Sequence, residues 1–257
     1  MIGSGAKRGR SAVVGLACGW GVVMLSAQAL AGPPEVQETS VGVGLAVGQR
    51  AMALSVPGLD HRVGAWPGAS LDLRQVLFQP ESLPATLELR LQGSFFRGTS
   101  AGNSFDAPEG LVSQRYTAQG ILGLTRPMGS MELTLGSGFG VDATIVTPNA
   151  DYTGQQYLHV PVHIALRRPF GESIFASVEL TALPVVAYNQ SSAFPDNNAF
   201  GARAHLSAGW RPSPDGLFVE LGYTYQRFLT YLPLSTGERA TSIDVAQDLG
   251  VMVGWAR

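Results

Sequence analysis

The sequence predicts an all-β chain: an antiparallel, up-and-down transmembrane β-barrel of about ten strands, with 8 or 12 as the neighbouring even counts. Three observations predict it. Residues alternate apolar and polar over segments long enough to cross a bilayer as tilted strands. Short Pro-containing turns alternate with longer polar connections. Aromatic residues gather toward the segment ends and leave the middles aliphatic.

The alternation is clearest in Gln156 to Leu183. Leu158, Val160, Val162, Ile164 and Leu166 fall on one side of a strand, and Tyr157, His159, Pro161, His163, Ala165 and Arg167 on the other. After Arg168-Pro169-Phe170-Gly171 the pattern resumes, with Ile174, Ala176, Val178, Leu180 and Ala182 against Phe175, Ser177, Glu179, Thr181 and Leu183. Pro161 and Pro184 lack the N–H a ladder needs, so bulges are expected beside them.

Before the first segment, residues 1–31 read as a secretory signal. Lys7, Arg8 and Arg10 precede an apolar run, and Ala29-Leu30-Ala31 offers a small-x-small cleavage site. Residues 32–38 are a short lead-in, and 39–257 form the barrel. Cleavage removes Cys18, the only cysteine, which leaves no disulfide or thiolate chemistry. It also removes three of the 17 basic residues, leaving 14 against 19 acidic, a charge of −5. No basic patch suggests nucleic acid.

The first segment, 39–50, sets Val41, Val43, Leu45 and Val47 against Gly42, Gly44, Ala46 and Gly48. The second, 62–77, opposes Leu71 and Leu73 to Asp72 and Arg74. The third, 85–97, opposes Leu87, Leu89 and Leu91 to Glu88, Arg90 and Gln92. The fourth, 112–125, opposes Tyr116, Ala118, Leu122 and Leu124 to Arg115, Thr117 and Gln119. The fifth, 130–146, opposes Met131, Leu133, Leu135, Phe139 and Val141 to Glu132, Thr134, Asp142 and three glycines. The hairpin above supplies the sixth and seventh.

The eighth, 200–211, sets Phe200, Ala202, Ala204, Leu206 and Trp210 against Arg203, His205 and Ser207. The ninth, 217–228, sets Leu217, Val219, Leu221, Tyr223 and Tyr225 against Glu220, Thr224 and Gln226. The tenth, 242–255, sets Ile243, Val245, Leu249, Val251, Val253 and Trp255 against Asp244 and Asp248.

Pro80, Pro127, Pro169 and Pro212 mark turns at hairpin-sized intervals. The connections 51–61, 98–111, 147–154, 189–198 and 229–241 are longer and polar. One aromatic girdle is expected at the short-turn end from Phe78, Phe170, Phe175, Trp210, Phe218 and Trp255. The other, at the long-connection end, is expected from Trp66, Phe95, Phe96, Tyr116, Phe139, Tyr157, Tyr188, Phe200, Tyr225 and Phe228.

On this pattern, residues 39–257 resemble the small outer-membrane β-barrel proteins of Gram-negative bacteria. The family usually ends in an aromatic; here Trp255 is followed by Ala256 and Arg257. The resemblance implies the outer membrane as location, and the bilayer with its lipopolysaccharide as partner.

The polar face carries Asp72, Arg74, Glu88, Arg90, Arg115, Glu132, Asp142, His159, His163, Arg167, Glu179, Arg203, His205, Arg211, Glu220, Asp244 and Asp248. These read either as ion pairs filling a narrow lumen or as the lining of a small pore, with Gly42, Gly44, Gly48, Gly136, Gly138 and Gly140 leaving space. His159 and His163 share a face but lie about 13 Å apart on a strand, too far for one metal. His205, Ser207 and Glu220 make a base, a hydroxyl and an acid on adjacent strands. This His-x-Ser pair with a later Glu is similar to that of the lipid A deacylase barrels. There the catalytic groups face lipid, whereas alternation turns these three inward.

The first expectation for function is a structural or surface-loop interaction barrel with a charge-filled lumen. A narrow passive, porin-like channel is the alternative, and a lipid A deacylase-like hydrolase the third. No catalytic, cofactor or metal residues are assigned, and no cofactor is expected. The sequence carries no Gly-rich phosphate loop, His-Glu-x-x-His helix or calcium loop.

Overall fold

A computed structural model describes residues 39–55, 60–79, 85–99, 111–146, 154–190, 198–213, 215–233 and 239–257. The expected signal segment and lead-in lie outside the described residues. Eleven strands form one antiparallel sheet: β1 (Thr39–Leu54), β2 (Asp60–Phe78), β3 (Thr86–Thr99), β4 (Val112–Met128), β5 (Met131–Val146), β6 (Gly154–His159), β7 (Val162–Phe170), β8 (Ile174–Gln190), β9 (Asn198–Trp210), β10 (Gly216–Pro233) and β11 (Arg239–Ala256). Consecutive strands pair, except that β6 and β7 each pair with β5 and β8, and β1 pairs with β11 from Ser40↔Ala256 to Leu54↔Ser242. The sheet therefore closes, and no edge is left with unpaired backbone groups.

β6 and β7 are two halves of one stave. Both lie between β5 and β8, so the barrel has ten staves, as the alternation predicts. Pro161 makes the break. The register against β5 runs through it unchanged, from Gly140↔His159 to Ser137↔Val162. Against β8 the register slips between Leu158↔Ala187 and His159↔Val185, so Val186 is the extra residue of a bulge. The groups freed there find partners: Val160 N donates to Pro184 O at 3.0 Å, and Ser137 Oγ donates to Pro161 O at 2.9 Å. Both prolines fit into a closed sheet by this one irregularity.

The short turns are tight because glycine allows them. Gly129 (φ +62°) sits between β4 and β5, and Gly171 (φ +69°) opens the turn from β7 to β8. Both lie in the left-handed region that side chains disfavour. At the other end the strands outrun the expected boundaries. β1 continues to Leu54 and β2 starts at Asp60, while β10 continues to Pro233 and β11 starts at Arg239. The connections expected at 51–61 and 229–241 thus shrink to 55–59 and 234–238. Apolar residues alternate there too, but Met52 and Leu232 point inward rather than out, which disguised these ends as loops.

The outer wall is apolar: Leu45 is 76% exposed and Phe139 72%, with Leu122, Leu135, Leu180, Leu221 and Val251 also exposed. The inner wall is charged and buried. This inside-out distribution, on a closed sheet, is the architecture of an outer-membrane β-barrel.

The girdles are thinner than expected. Phe78, Phe170, Trp210 and Trp255 do face outward at the short-turn end, and Phe95, Tyr116, Phe139 and Phe200 at the other. Trp66, Phe96, Phe175, Phe218, Tyr157 and Phe228 are instead buried in the lumen. Most of these lie directly opposite a glycine on the next strand: Trp66↔Gly48, Phe96↔Gly68, Phe175↔Gly209, Phe218↔Gly254 and Phe228↔Gly201. A Cβ at each glycine would collide with the ring, so the ring lies over bare backbone. At these five glycines a ring, not open space, faces the lumen. His159 likewise covers Gly140 and Met252 covers Gly42.

Candidate functional site

Among the described residues chemistry-bearing groups come together in the lumen, and β-alternation puts them there. Its charges fall into tiers. Near the long-connection end, Arg50 holds Asp244, Nε to Oδ1 at 2.8 Å and Nη2 to Oδ2 at 2.9 Å, and Gln155 also donates to Asp244. Below lies an aromatic layer in which Tyr157 stacks on Phe228 at 4.0 Å and Trp66 on Phe96 at 5.9 Å.

The next tier is a connected network. Arg115 Nη2 donates to Asp142 at 2.8 Å, and Gln226 donates to the same carboxylate at 2.6 Å. Arg203 donates to Gln226 at 2.8 Å and to Gln119 at 2.7 Å. Below it Arg90, from β3, joins two carboxylates on opposite sides. It reaches Asp72 on adjacent β2 at 2.7 Å and Glu179 on β8, across the lumen, at 2.8 Å. Arg74 and Glu88 pair at 2.6 Å nearer the short turns.

Two cavities flank Arg90. The upper, about 140 Å³, is lined among others by Arg115, Gln119, Arg203, Thr224 and Asp248. The lower, about 110 Å³, is lined by Arg74, Glu88, His163, Arg167 and Arg211. Asp72, Arg90, Glu179, Glu220 and Met252 line both. The Arg90–Glu179 tie crosses the lumen where the two meet.

His205, Ser207 and Glu220 all point into the lumen, as alternation predicts. Glu220 lies against both His205 and Ser207, but no hydrogen bond joins His205 to Ser207 among the described residues. Ser207 Oγ is bonded to Ser177 Oγ at 2.7 Å, while His205 Nδ1 lies 3.1 Å from Thr224 Oγ1 and Nε2 lies 3.8 Å from Glu220. His163 pairs with Thr181 at 3.0 Å. His159 is fully buried, with neither ring nitrogen hydrogen-bonded among the described residues. The two histidines have separate surroundings, and no group of three His, Cys, Asp or Glu side chains among the described residues could hold a metal.

Sequence reasoning placed most of the charges on the lumen face but missed Arg50 and His61, at the ends of β1 and β2, and the aromatic layers between the charges. The missed signal was parity: Phe96, Phe175 and Phe228 stand at polar-face positions of their own strands.

No family model and no curated protein matches this chain. Among solved structures it is similar to an outer-membrane channel from Pseudomonas putida F1, at 15% identity and TM-score 0.44 over 87% of this chain and 97% of that one. It is also similar to the translocator domain of the autotransporter NalP from Neisseria meningitidis, at 11% identity and TM-score 0.40 over 84% and 88%. A third is the Ralstonia pickettii toluene transporter TbuX, at 6% identity and TM-score 0.37 over 87% and 90%. The likeness extends to the barrel fold and no further.

Proposed function

We propose that this outer-membrane barrel is a non-conducting one, whose lumen is structural and whose role lies in surfaces it presents, the outer wall and the long-connection end. The observation that carries this is the Arg90–Glu179 pair, which crosses the lumen between the two chambers. Aromatic rings over glycines fill the lumen above and below it. Buried charges held in this way fix the cross-section of the barrel rather than line a path.

The reading is tested by conductance in planar bilayers. The native barrel is expected to give no steady steps. Arg90→Ala removes this tie and is expected to give small, salt-dependent steps as the chambers join. Steady conductance of the native protein would replace this reading with the second one, a narrow passive channel. That second reading has its own support in the polar chambers stacked along one lumen.

A lipid A deacylase-like activity is disfavoured by the inward position of His205, Ser207 and Glu220 and by the Ser207–Ser177 bond. Ser207→Ala is expected to leave the lipid A mass profile of the outer membrane unchanged. A profile that gains an acyl chain in the variant would restore the hydrolase reading.

A further inference from the structure

We propose that the outer wall formed by β2, β1, β11 and β10, near the long-connection end, binds the phosphorylated saccharide headgroup of an outer-leaflet glycolipid. The inference rests on the reading above as an outer-membrane barrel, in which short turns are periplasmic and the long-connection end faces the cell surface. Pairing aligns four outward side chains in one row: Arg62 opposite Ala51, Ala51 opposite Val245, and Val245 opposite Arg227. Strands about 4.8 Å apart set the two guanidinium-bearing positions about 14 Å from each other. Between them the floor is shallow. Both arginines are exposed, and neither is paired with a carboxylate among the described residues.

The next outward row toward the bilayer is polar where the rest of that wall is aliphatic. Gln49 faces Gln247, and Gln247 faces Tyr225. Gln49 donates to Gln247 Oε1 at 3.3 Å and Tyr223 donates to the same oxygen at 3.0 Å. Beneath this row run Val47, Leu45, Leu249, Val251 and Leu221, all exposed. Toward the same end the rest of the wall sets one exposed cation, Arg97, opposite Gln114, which Tyr116 also bonds, and exposes Gln156 among Ile145, Leu158, Val186 and Phe200; among the described residues none of its rows places two cations across a shallow floor.

The occupant must satisfy all of this together. Two separated cations call for two anionic groups. A row of amides and phenols between them suits hydroxyls and ring oxygens. An aliphatic track directly below suits several acyl chains. A sugar bearing phosphates and acyl chains meets each requirement, and a glycerophospholipid with one phosphate cannot span the two arginines.

Native mass spectrometry of the full-length barrel in detergent tests this. The probes are bisphosphorylated lipid A, the same lipid with its phosphates removed, and phosphatidylglycerol. The native protein is expected to retain the first and release the other two. Arg62→Gln/Arg227→Gln should bind it about 25-fold more weakly, at roughly fivefold for each basic group beside an anionic headgroup. Arg126→Gln/Arg168→Gln, on outward positions at the other rim, should bind it as the native protein does. Equal retention by the Arg62/Arg227 variant, equal binding of phosphatidylglycerol, or equal loss in the Arg126/Arg168 variant overturns the proposal. Ala51→Trp keeps both cations and fills the floor; it should show the same loss if the double variant fails to fold, and undiminished binding there also overturns the proposal. Conductance does not enter, so failure here is distinct from failure of the non-conducting reading.

Discussion

Asp142→Ala is expected to lower barrel stability by about 3 kcal/mol, the lower end of the range for stripping one partner from a buried ion pair. Asp142 takes two hydrogen bonds from Arg115, at 2.8 and 3.4 Å, and a third from Gln226 at 2.6 Å. Without it the nearest carboxylate for Arg115 is Asp248, at 3.9 Å. The Arg115 side chain is only 4% exposed, so its charge would be left largely buried. The lower end applies because Arg115 borders the upper cavity and water there can move toward it. Arg115→Leu/Asp142→Leu removes both charges and should be milder than the single change. Urea-dependent unfolding in liposomes, followed by the mobility of unboiled samples, measures both. A double variant weaker than the single one would mean that the pair itself holds the staves together.

How much of this was legible in the sequence can be judged from single residues. Val162 outward and His163 inward follow from alternation alone, and the structure agrees: 55% and 4% exposed. The same parity assigned Phe175 to the polar face, yet its place near a turn suggested a girdle. It is buried, under Arg167 at 4.1 Å and over Gly209. A bulky ring in a lumen makes sense only with a glycine opposite, and that pairing depends on register, which one sequence does not show. Trp66 shares the parity of Asp72 and Arg74 and was legible in the same way. Val63 was harder: the slip between Gly48↔Trp66 and Arg50↔Val63 changes the parity near the start of β2, so Val63 is buried at a position the main alternation turns outward. The Arg90–Glu179 tie was not legible at all. Its partners are 89 residues apart on non-adjacent strands, and only closure of the sheet brings them face to face.

Val162→Arg is expected to destabilise the barrel by about 2–4 kcal/mol, the penalty for a cation facing lipid near the bilayer midplane. Val162 opens β7 directly after the Pro161 break, opposite Ser137 and Ala182. Its neighbours outside are Ile164, Leu166 and Leu180, all exposed to lipid. An arginine there has no carboxylate within the wall and must snorkel past them. His163→Arg, one residue on, should lose only about 1 kcal/mol, an overpacking term. It faces the lower cavity, where Glu88 and Glu179 can receive a cation. Stability alone does not separate a lipid face from a protein core, since either penalises a cation at 162. Spin labels on Val162→Cys and His163→Cys in liposomes do separate them. A label at 162 should be relaxed by dissolved oxygen and shielded from a polar nickel reagent, and a label at 163 should be much less accessible to oxygen. Nickel access at 162 equal to that of a water-exposed site would reverse the two faces of the wall. It would also place His205, Ser207 and Glu220 against lipid.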